Sequence, residues 1–264
     1  MSKKTPEAKE KNLNLSVSAV EAFQSCQAKW HYRYVVKLPT PPPTYHLTAG
    51  SFIHKILEIF LRRYKKSKDL SDAARVAFNL AKKDEDLSPH LTKEILEEGK
   101  AWLKQIVSMY ETSPETIPNV LSIEAPFSFK IGSDITVRGF IDRIDEVDFD
   151  TIKIVDYKTS SNPDYLTSFQ LATYAIAANK KYPGKQIQAA YSLVRHGFSN
   201  KNFQITETEK EDVISTFEKV AYEIRTRIAS EGPWETNVTK LCSYCPYRVR
   251  CETDRNKKSP WKIS

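Results

Sequence analysis

Two acidic side chains and one lysine stand where a β-hairpin would bring them together. Asp142 falls between Phe140 and Ile144 at period two, and Ile152, Ile154, Asp156 and Lys158 repeat the same parity further on. Residues two apart in a strand point to one face, so each strand carries an acid on an otherwise apolar face. A turn at Asp148-Phe149-Asp150 sets Asp142 directly opposite Asp156, whereas a slip of one residue would send the acids to opposite faces. Two ionised carboxylates with Cβ atoms about 5 Å apart repel each other unless a cation stands between them. With Lys158 two residues beyond the second acid, the chemistry indicated is that of a divalent cation with an ammonium beside it. The residues alone leave a second reading open, in which both acids lie on an exposed edge strand. Asp145, Glu146, Asp148 and Asp150 read as a solvated turn; the glycine and final glutamate of a calcium-binding loop are missing.

The cysteines are a second signal. Cys242-Ser-Tyr-Cys245 and Cys251 place three thiols in ten residues, and Cys26 lies more than two hundred residues away. Four thiolates suit zinc or an iron–sulfur cluster, and either would tie the two ends of the chain together. The single CxxC pair, an offset third cysteine and an isolated fourth tilt the reading toward iron–sulfur and away from zinc, for which two CxxC pairs are usual. Buried, unligated cysteines are the remaining alternative. His54 has Gly50 one turn before it and Glu58 one turn after. A lone histidine on an amphipathic helix is more often structural than a ligand.

These groups need elements to hold them. Ser18-Ala-Val-Glu21 has the form of a capping box, and the spacing predicts a helix to about Val36 that contains Cys26, with Val20, Phe23, Ala28, Tyr32 and Val35 inward. Pro39-Thr-Pro-Pro-Pro43 ends it. Further helices are expected from about Ala49 to Lys66 with His54, across residues 71–111 with Trp102, Ile106 and Met109 inward, from Tyr165 to Lys181, and from Glu207 to Ser230. The Tyr165 helix sets Gln170 and Tyr174 one turn apart. Strands are expected at 120–130, which contains Glu124, in the two arms of the hairpin, at 186–194 and at 203–205. That order gives an α/β fold, a central mixed sheet flanked by helices.

The chain has 264 residues, 40% hydrophobic and 28% charged, with a net charge of +7. Such a length buries a sizeable core. No apolar run is long enough to cross a membrane and the first residues lack the apolar core of a signal peptide, so a cytoplasmic location without membrane association is expected. The charge fits a polyanionic partner, though Lys3, Lys4, Lys9, Lys11, Lys257 and Lys258 lie in expected tails. The expected organisation is a flexible tail at 1–14, one domain over 15–255 with a helical insertion at about 67–115 and Cys26 joined to the 242–251 cluster, and a tail at 256–264.

Taken in order, Leu15-Ser-Val-Ser-Ala19 with Cys26, Gly50-x-x-x-His54, Gly139-Phe-Ile-Asp142, Asp156-Tyr-Lys158-Thr, Gln170-x-x-x-Tyr174 and the Cys242/Cys245/Cys251 cluster resemble the RecB-like branch of the PD-(D/E)XK nuclease superfamily. The likeness runs from about residue 15 to 255. It points to the iron–sulfur members, among them the AddB nuclease domain and the RecB-like nucleases of CRISPR adaptation. The resemblance implies a restriction-endonuclease-like core and an iron–sulfur-stapled N/C-terminal region. It implies that Asp142, Asp156, His54 and the main-chain carbonyl of Tyr157 bind Mg(II) or Mn(II), that Lys158 positions or activates the attacking water, and that Gln170 and Tyr174 orient the lysine, the water or a DNA phosphate. Cys26, Cys242, Cys245 and Cys251 would hold a 4Fe-4S cluster, with zinc the alternative. Glu124 is a further, weaker candidate, since it aligns with no motif. Tyr244, Tyr247, Arg248, Arg250 and Arg255 surround the cluster and would either contact DNA or cover it.

The implied activity is a metal-dependent DNA nuclease, an exonuclease on single strands or DNA ends, in repair, recombination, phage DNA processing or CRISPR adaptation. With no Gly-x-x-x-x-Gly-Lys-Ser/Thr loop, a helicase or integrase partner would supply any motor or integration step. A DNA-binding protein that keeps the fold and cluster without cutting is the alternative.

Overall fold

The structure is a computed structural model and describes residues 12–231 and 233–256. The lysines expected in tails, at 3, 4, 9, 11, 257 and 258, lie outside the described residues. The chain divides into two compact units interleaved in sequence. One draws on residues up to Pro39, on Ser128–Gly139 and on the chain from Glu211; the other comprises Thr40–Phe127 and Phe140–Lys210.

The larger unit begins with α3 (Tyr45–Ser67), four residues before the expected start. Ala49, Phe52, Ile53, Ile56, Leu57, Phe60 and Leu61 are buried, a spacing of three and four that makes one continuous apolar stripe. The expected helical stretch 71–111 is interrupted: α4 (Leu70–Ala81) and α5 (Lys93–Thr112) are separated by turns and a 3-10 segment at Ser88–His90. Each of the two starts on a side-chain cap, Asp69 and Thr92 respectively. Gly99 lets α5 close on α3, because a Cβ there would lie 2.6 Å from Phe52 Cε1.

β2 (Val120–Ile131) and β3 (Ile135–Glu146) form a hairpin; β3 pairs antiparallel with β4 (Thr151–Lys158), β4 parallel with β5 (Gln186–Leu193), and β5 antiparallel with β6 (Ser199–Phe203). The sheet is therefore mixed, as the order of elements indicated. Its recorded β3–β4 register, Arg143↔Val155 and Ile144↔Ile154, is the one that sets Asp142 against Asp156 one step further on. Directly opposed residues share a face, so Arg143, Asp145, Val155 and Tyr157 lie on one side and Ile144, Ile152, Ile154 and Asp156 on the other. Val155 and Tyr157 pack in one core with Phe60, Ile106 and Tyr110 of α3 and α5. Ile144 and Ile154 pack in a second core with Leu171, Tyr174 and Ala175 of α6 (Phe169–Lys181). The sheet thus separates two apolar layers, and α6 starts later than the expected Tyr165.

In the smaller unit, β1 (Leu13–Leu15) runs parallel to Ile135–Val137 of β3, so residues 13 and 14, expected in the tail, are strand. The single helix expected over 18–36 is two, α1 (Val17–Ser25) and α2 (Gln27–Tyr34), and α1 is capped by Ser16 Oγ on the Ala19 amide in place of the Ser18 box. Cys26 is extended, with φ −167° and ψ 112°. The break is held from outside the helices: Glu235 O accepts the Ala28 amide at 3.0 Å and Asn237 Nδ2 donates to Ser25 O at 3.1 Å. Groups freed at a helix break need such partners. Trp234 is buried, stacked 4.8 Å from His31 and tilted 5.5 Å from Trp30. The unit is completed by α7 (Glu207–Ala229), from Glu211 onward, and by α8 (Arg248–Asn256).

Candidate active site and cysteine cluster

The ladder between β3 and β4 ends just where the acids begin. Beyond Arg143↔Val155 the Tyr157 amide donates to Asp142 Oδ2 at 2.8 Å, so a carboxylate takes the proton that a backbone carbonyl would otherwise accept. Tyr157 also meets α3: its carbonyl lies 3.0 Å from His54 Nε2. Burial lowers the His54 pKa, which favours the neutral ring. With its proton on Nε2, toward the carbonyl, the ring directs the Nδ1 lone pair at Asp142 Oδ2, 3.4 Å away.

Glu124, which no motif marked, completes this group. Ligand atoms of His54, Glu124 and Asp142 lie within 4.8 Å of one another, and no other three His, Cys, Asp or Glu converge so closely among the described residues. Glu124 has a φ of +49° inside β2, a left-handed conformation that costs a non-glycine residue of order 1 kcal/mol or more. Arg62 braces the bend, donating to the Ile123 carbonyl at 2.9 Å and to Glu58 Oε1 at 3.1 Å. The alternation of 120–130 contains no sign of this bend, and Glu124 matches no motif, so the sequence marks it only as a weaker candidate. His54, Glu124 and Asp142 line an open pocket of about 570 Å³ together with Lys55, Glu58 and Asp84. Gly50 borders it, and a Cβ there would lie 3.0 Å from Thr159 Oγ1.

Burial first, then the neighbouring carboxylates, raise the Asp142 pKa to about 8 and that of Glu124 to about 7. A cation bound between the two acids would favour both ionised forms, so the raised values mark them as candidate ligands. Two carboxylates and an imidazole are also a donor set that suits a divalent ion, the carboxylates fitting Mg(II) or Mn(II) and the nitrogen, an unusual magnesium ligand, leaving room for Mn(II).

Asp156 stands apart from that trio. It is buried, with Oδ2 2.7 Å from Lys158 Nζ, close but outside hydrogen-bonding alignment. Lys158 Nζ donates to Gln170 Oε1 at 2.7 Å, and Gln170 Nε2 donates to the Tyr174 hydroxyl at 2.8 Å. The ammonium also lies 5.0 Å from the centre of the Tyr191 ring. Tyr174 therefore fixes which way the Gln170 amide points, and Gln170 fixes the lysine.

In the smaller unit, Cys26, Cys242, Cys245 and Cys251 line one pocket of about 80 Å³, with Arg248 and Arg255 at its wall. None of the four is in a disulfide, all are half-buried, and the Cys251 pKa is raised by burial and then by Cys26. Of the residues expected around the cluster, Tyr247 is buried, Tyr244 is exposed, and Arg248 and Arg250 are paired with Glu252 and Asp254.

Residues 14–252 match the PD-(D/E)XK nuclease superfamily. The chain belongs to that superfamily. It is 30% identical over 189 residues to an ATP-dependent helicase/deoxyribonuclease subunit from Streptococcus equi subsp. zooepidemicus (strain H70), a match covering 65% of this chain and 17% of that protein. The corresponding protein of Streptococcus uberis is 27% identical over 188 residues, covering 66% of this chain and again 17% of the relative. The chain thus aligns with only a small part of these relatives. A crystal structure described as a "putative exonuclease" from Eubacterium rectale has the same fold, with a TM-score of 0.58 at 13% identity, covering all of this chain and 97% of that one. No helix among the described residues is long and apolar enough to cross a membrane.

Proposed function

We propose that this chain is a divalent-metal-dependent deoxyribonuclease that acts on DNA ends or single strands. The observation that carries the reading is the convergence of His54, Glu124 and Asp142 within 4.8 Å in a chain of the PD-(D/E)XK nuclease superfamily. His54, Glu124 and Asp142, with Asp156 behind them, would hold Mg(II) or Mn(II). When bound, such an ion lowers the pKa of a water and neutralises charge developing on phosphorus. The chain's own groups do the rest. Lys158, aimed by Asp156 and Gln170, holds the water or a phosphoryl oxygen; Tyr174 keeps Gln170 in place; Tyr157 holds Asp142 and His54 through its main chain.

The relatives named for a helicase and deoxyribonuclease support DNA as substrate, and their greater length supports a helicase partner, in cis or in trans. The four cysteines support an iron–sulfur cluster more than zinc. The single CxxC pair with an offset third cysteine and a remote fourth is the spacing that favours it, and all four line one pocket.

The test is digestion of end-labelled single- and double-stranded DNA with and without Mn(II), by the wild type, Asp142→Ala and Lys158→Ala. Metal-dependent release of nucleotides that both variants lose is expected. Cutting without metal, or equal cutting by the variants, overturns the nuclease reading; DNA binding without cutting by the wild type would favour the non-cutting alternative.

A further inference from the structure

The side of the sheet turned away from Lys158 carries a buried charge that the hydrolytic chemistry does not use. Arg143 stands opposite Val155, and the residue is buried at 8% exposure. Nη1 donates to the Tyr157 hydroxyl at 2.6 Å, Nε donates to Asp145 at 3.0 Å, and the guanidinium carbon lies 5.4 Å from the centre of the Tyr157 ring. Tyr110 of α5, buried in the same core as Tyr157, also lies within reach of the guanidinium. Ion pairs this deep are a poor means of stabilising a fold, because losing water costs both charges more than apolar packing would. What they supply is direction: a guanidinium fork fixes its partners' positions as methyl groups cannot.

The partner fixed here is the residue on which the metal ligands converge. The Tyr157 amide holds Asp142 and its carbonyl holds His54, so a shift of its backbone moves two ligands at once. Side chains alternate along β4, which places the phenol on the face opposite Asp156 and Lys158, away from the water and phosphate. We propose that Arg143 is a positioning residue for the metal centre: through the Tyr157 hydroxyl it sets the backbone of β4, and through that backbone the spacing of Asp142 and His54. Asp145 supports it as the counter-charge. This rests on the metal-site reading above, and extends it to residues that touch neither metal nor substrate.

Mn(II) affinity, measured on the metal-free protein by calorimetry and by loss of the free-ion electron paramagnetic resonance signal, tests it alongside thermal unfolding. Tyr157→Phe keeps the ring and removes the hydroxyl that accepts from Arg143, leaving a buried donor unpaired; it should fold with a lowered Tm and, at temperatures where it is fully folded, bind Mn(II) about 10-fold more weakly, the lower end for partners behind a metal ligand. Arg143→Met combined with Asp145→Leu removes both charges together, which avoids stranding one of them; it should also fold, and lose at least as much affinity. Arg143→Lys should recover part of the loss. Unchanged affinity in Tyr157→Phe and in the folded double variant overturns the positioning role, and so does an affinity loss that merely tracks Tm. Asp142→Ala, measured in parallel, must abolish binding; if it binds Mn(II) like the wild type, the metal-site reading itself has failed, and the two failures are told apart.

Discussion

Glu124 is the residue whose placement says most about the site. A glutamate in left-handed conformation within a strand persists only when its surroundings hold it there, and Arg62 on the Ile123 carbonyl does so. Glu124→Gln keeps the shape and removes one charge. Calorimetry should show Mn(II) affinity falling at least about 10-fold, as befits a residue nearer the ion than an outer partner. Retained affinity would show that His54 and Asp142 suffice. The same charges control stability without metal. Glu124 and Asp142 have pKa values raised from 4.5 and 3.8 to about 7 and about 8, so between about pH 4 and pH 8 the folded chain holds protons that the unfolded chain has released. Stability therefore falls as pH rises through that window and levels off above it. Urea titrations of metal-free protein at pH 5, 6.5 and 8 should show the decline, with a smaller one in Glu124→Gln. Added Mn(II) should restore most stability at pH 8, where both carboxyls are ready to ionise. A flat profile without metal would mean that the two carboxyls do not crowd each other as described.

At the scale of elements, the hairpin was legible because its two constraints agree: parity places the acids on one face, and the turn at Asp148–Asp150 leaves one register that opposes them. The recorded pairs from Arg143↔Val155 to Glu146↔Ile152 are that register. The break at Cys26 was not legible, since Ser25-Cys-Gln27 contains neither glycine nor proline, and the groups that stabilise the break come from Glu235 and Asn237, two hundred residues on. The Glu124 bend escaped for the same reason, its brace being Arg62 of α3. The α3–α5 contact supplies a test of packing against propensity. Gly99→Ala should gain about 1 kcal/mol of helix propensity. However, its Cβ would lie 2.6 Å from Phe52 Cε1 and 3.1 Å from Ile56 Cδ1, both in fully buried side chains. Overpacking costs about 1–3 kcal/mol, so the variant should be less stable by up to about 2 kcal/mol in urea unfolding. A gain in stability would show that α5 can shift away from α3 at little cost.

For the whole molecule, the acids and the cysteines fall in different compact units: the residues of the candidate metal site all belong to one and the four cysteines all to the other. A group held by the four cysteines would join α1–α2 to the segment 242–251, a join that packing makes in part: Trp234 covers Trp30 and His31, and Tyr32 donates to Asp254 at 2.9 Å. Cysteines that merely filled a core would tolerate a small change such as Cys26→Ser, whereas thiolates that hold a group would not, because loss of one ligand of four releases it. Cys26→Ser purified without oxygen should therefore lack the iron and sulfide expected of the wild type. It should also exchange backbone amides faster in α1, α2 and α8. Zinc in place of iron in the wild type would keep the staple and change its identity. Equal protection in wild type and variant, with no metal in either, would reduce the four cysteines to packing and leave the Trp234 cluster as what joins the ends of that unit.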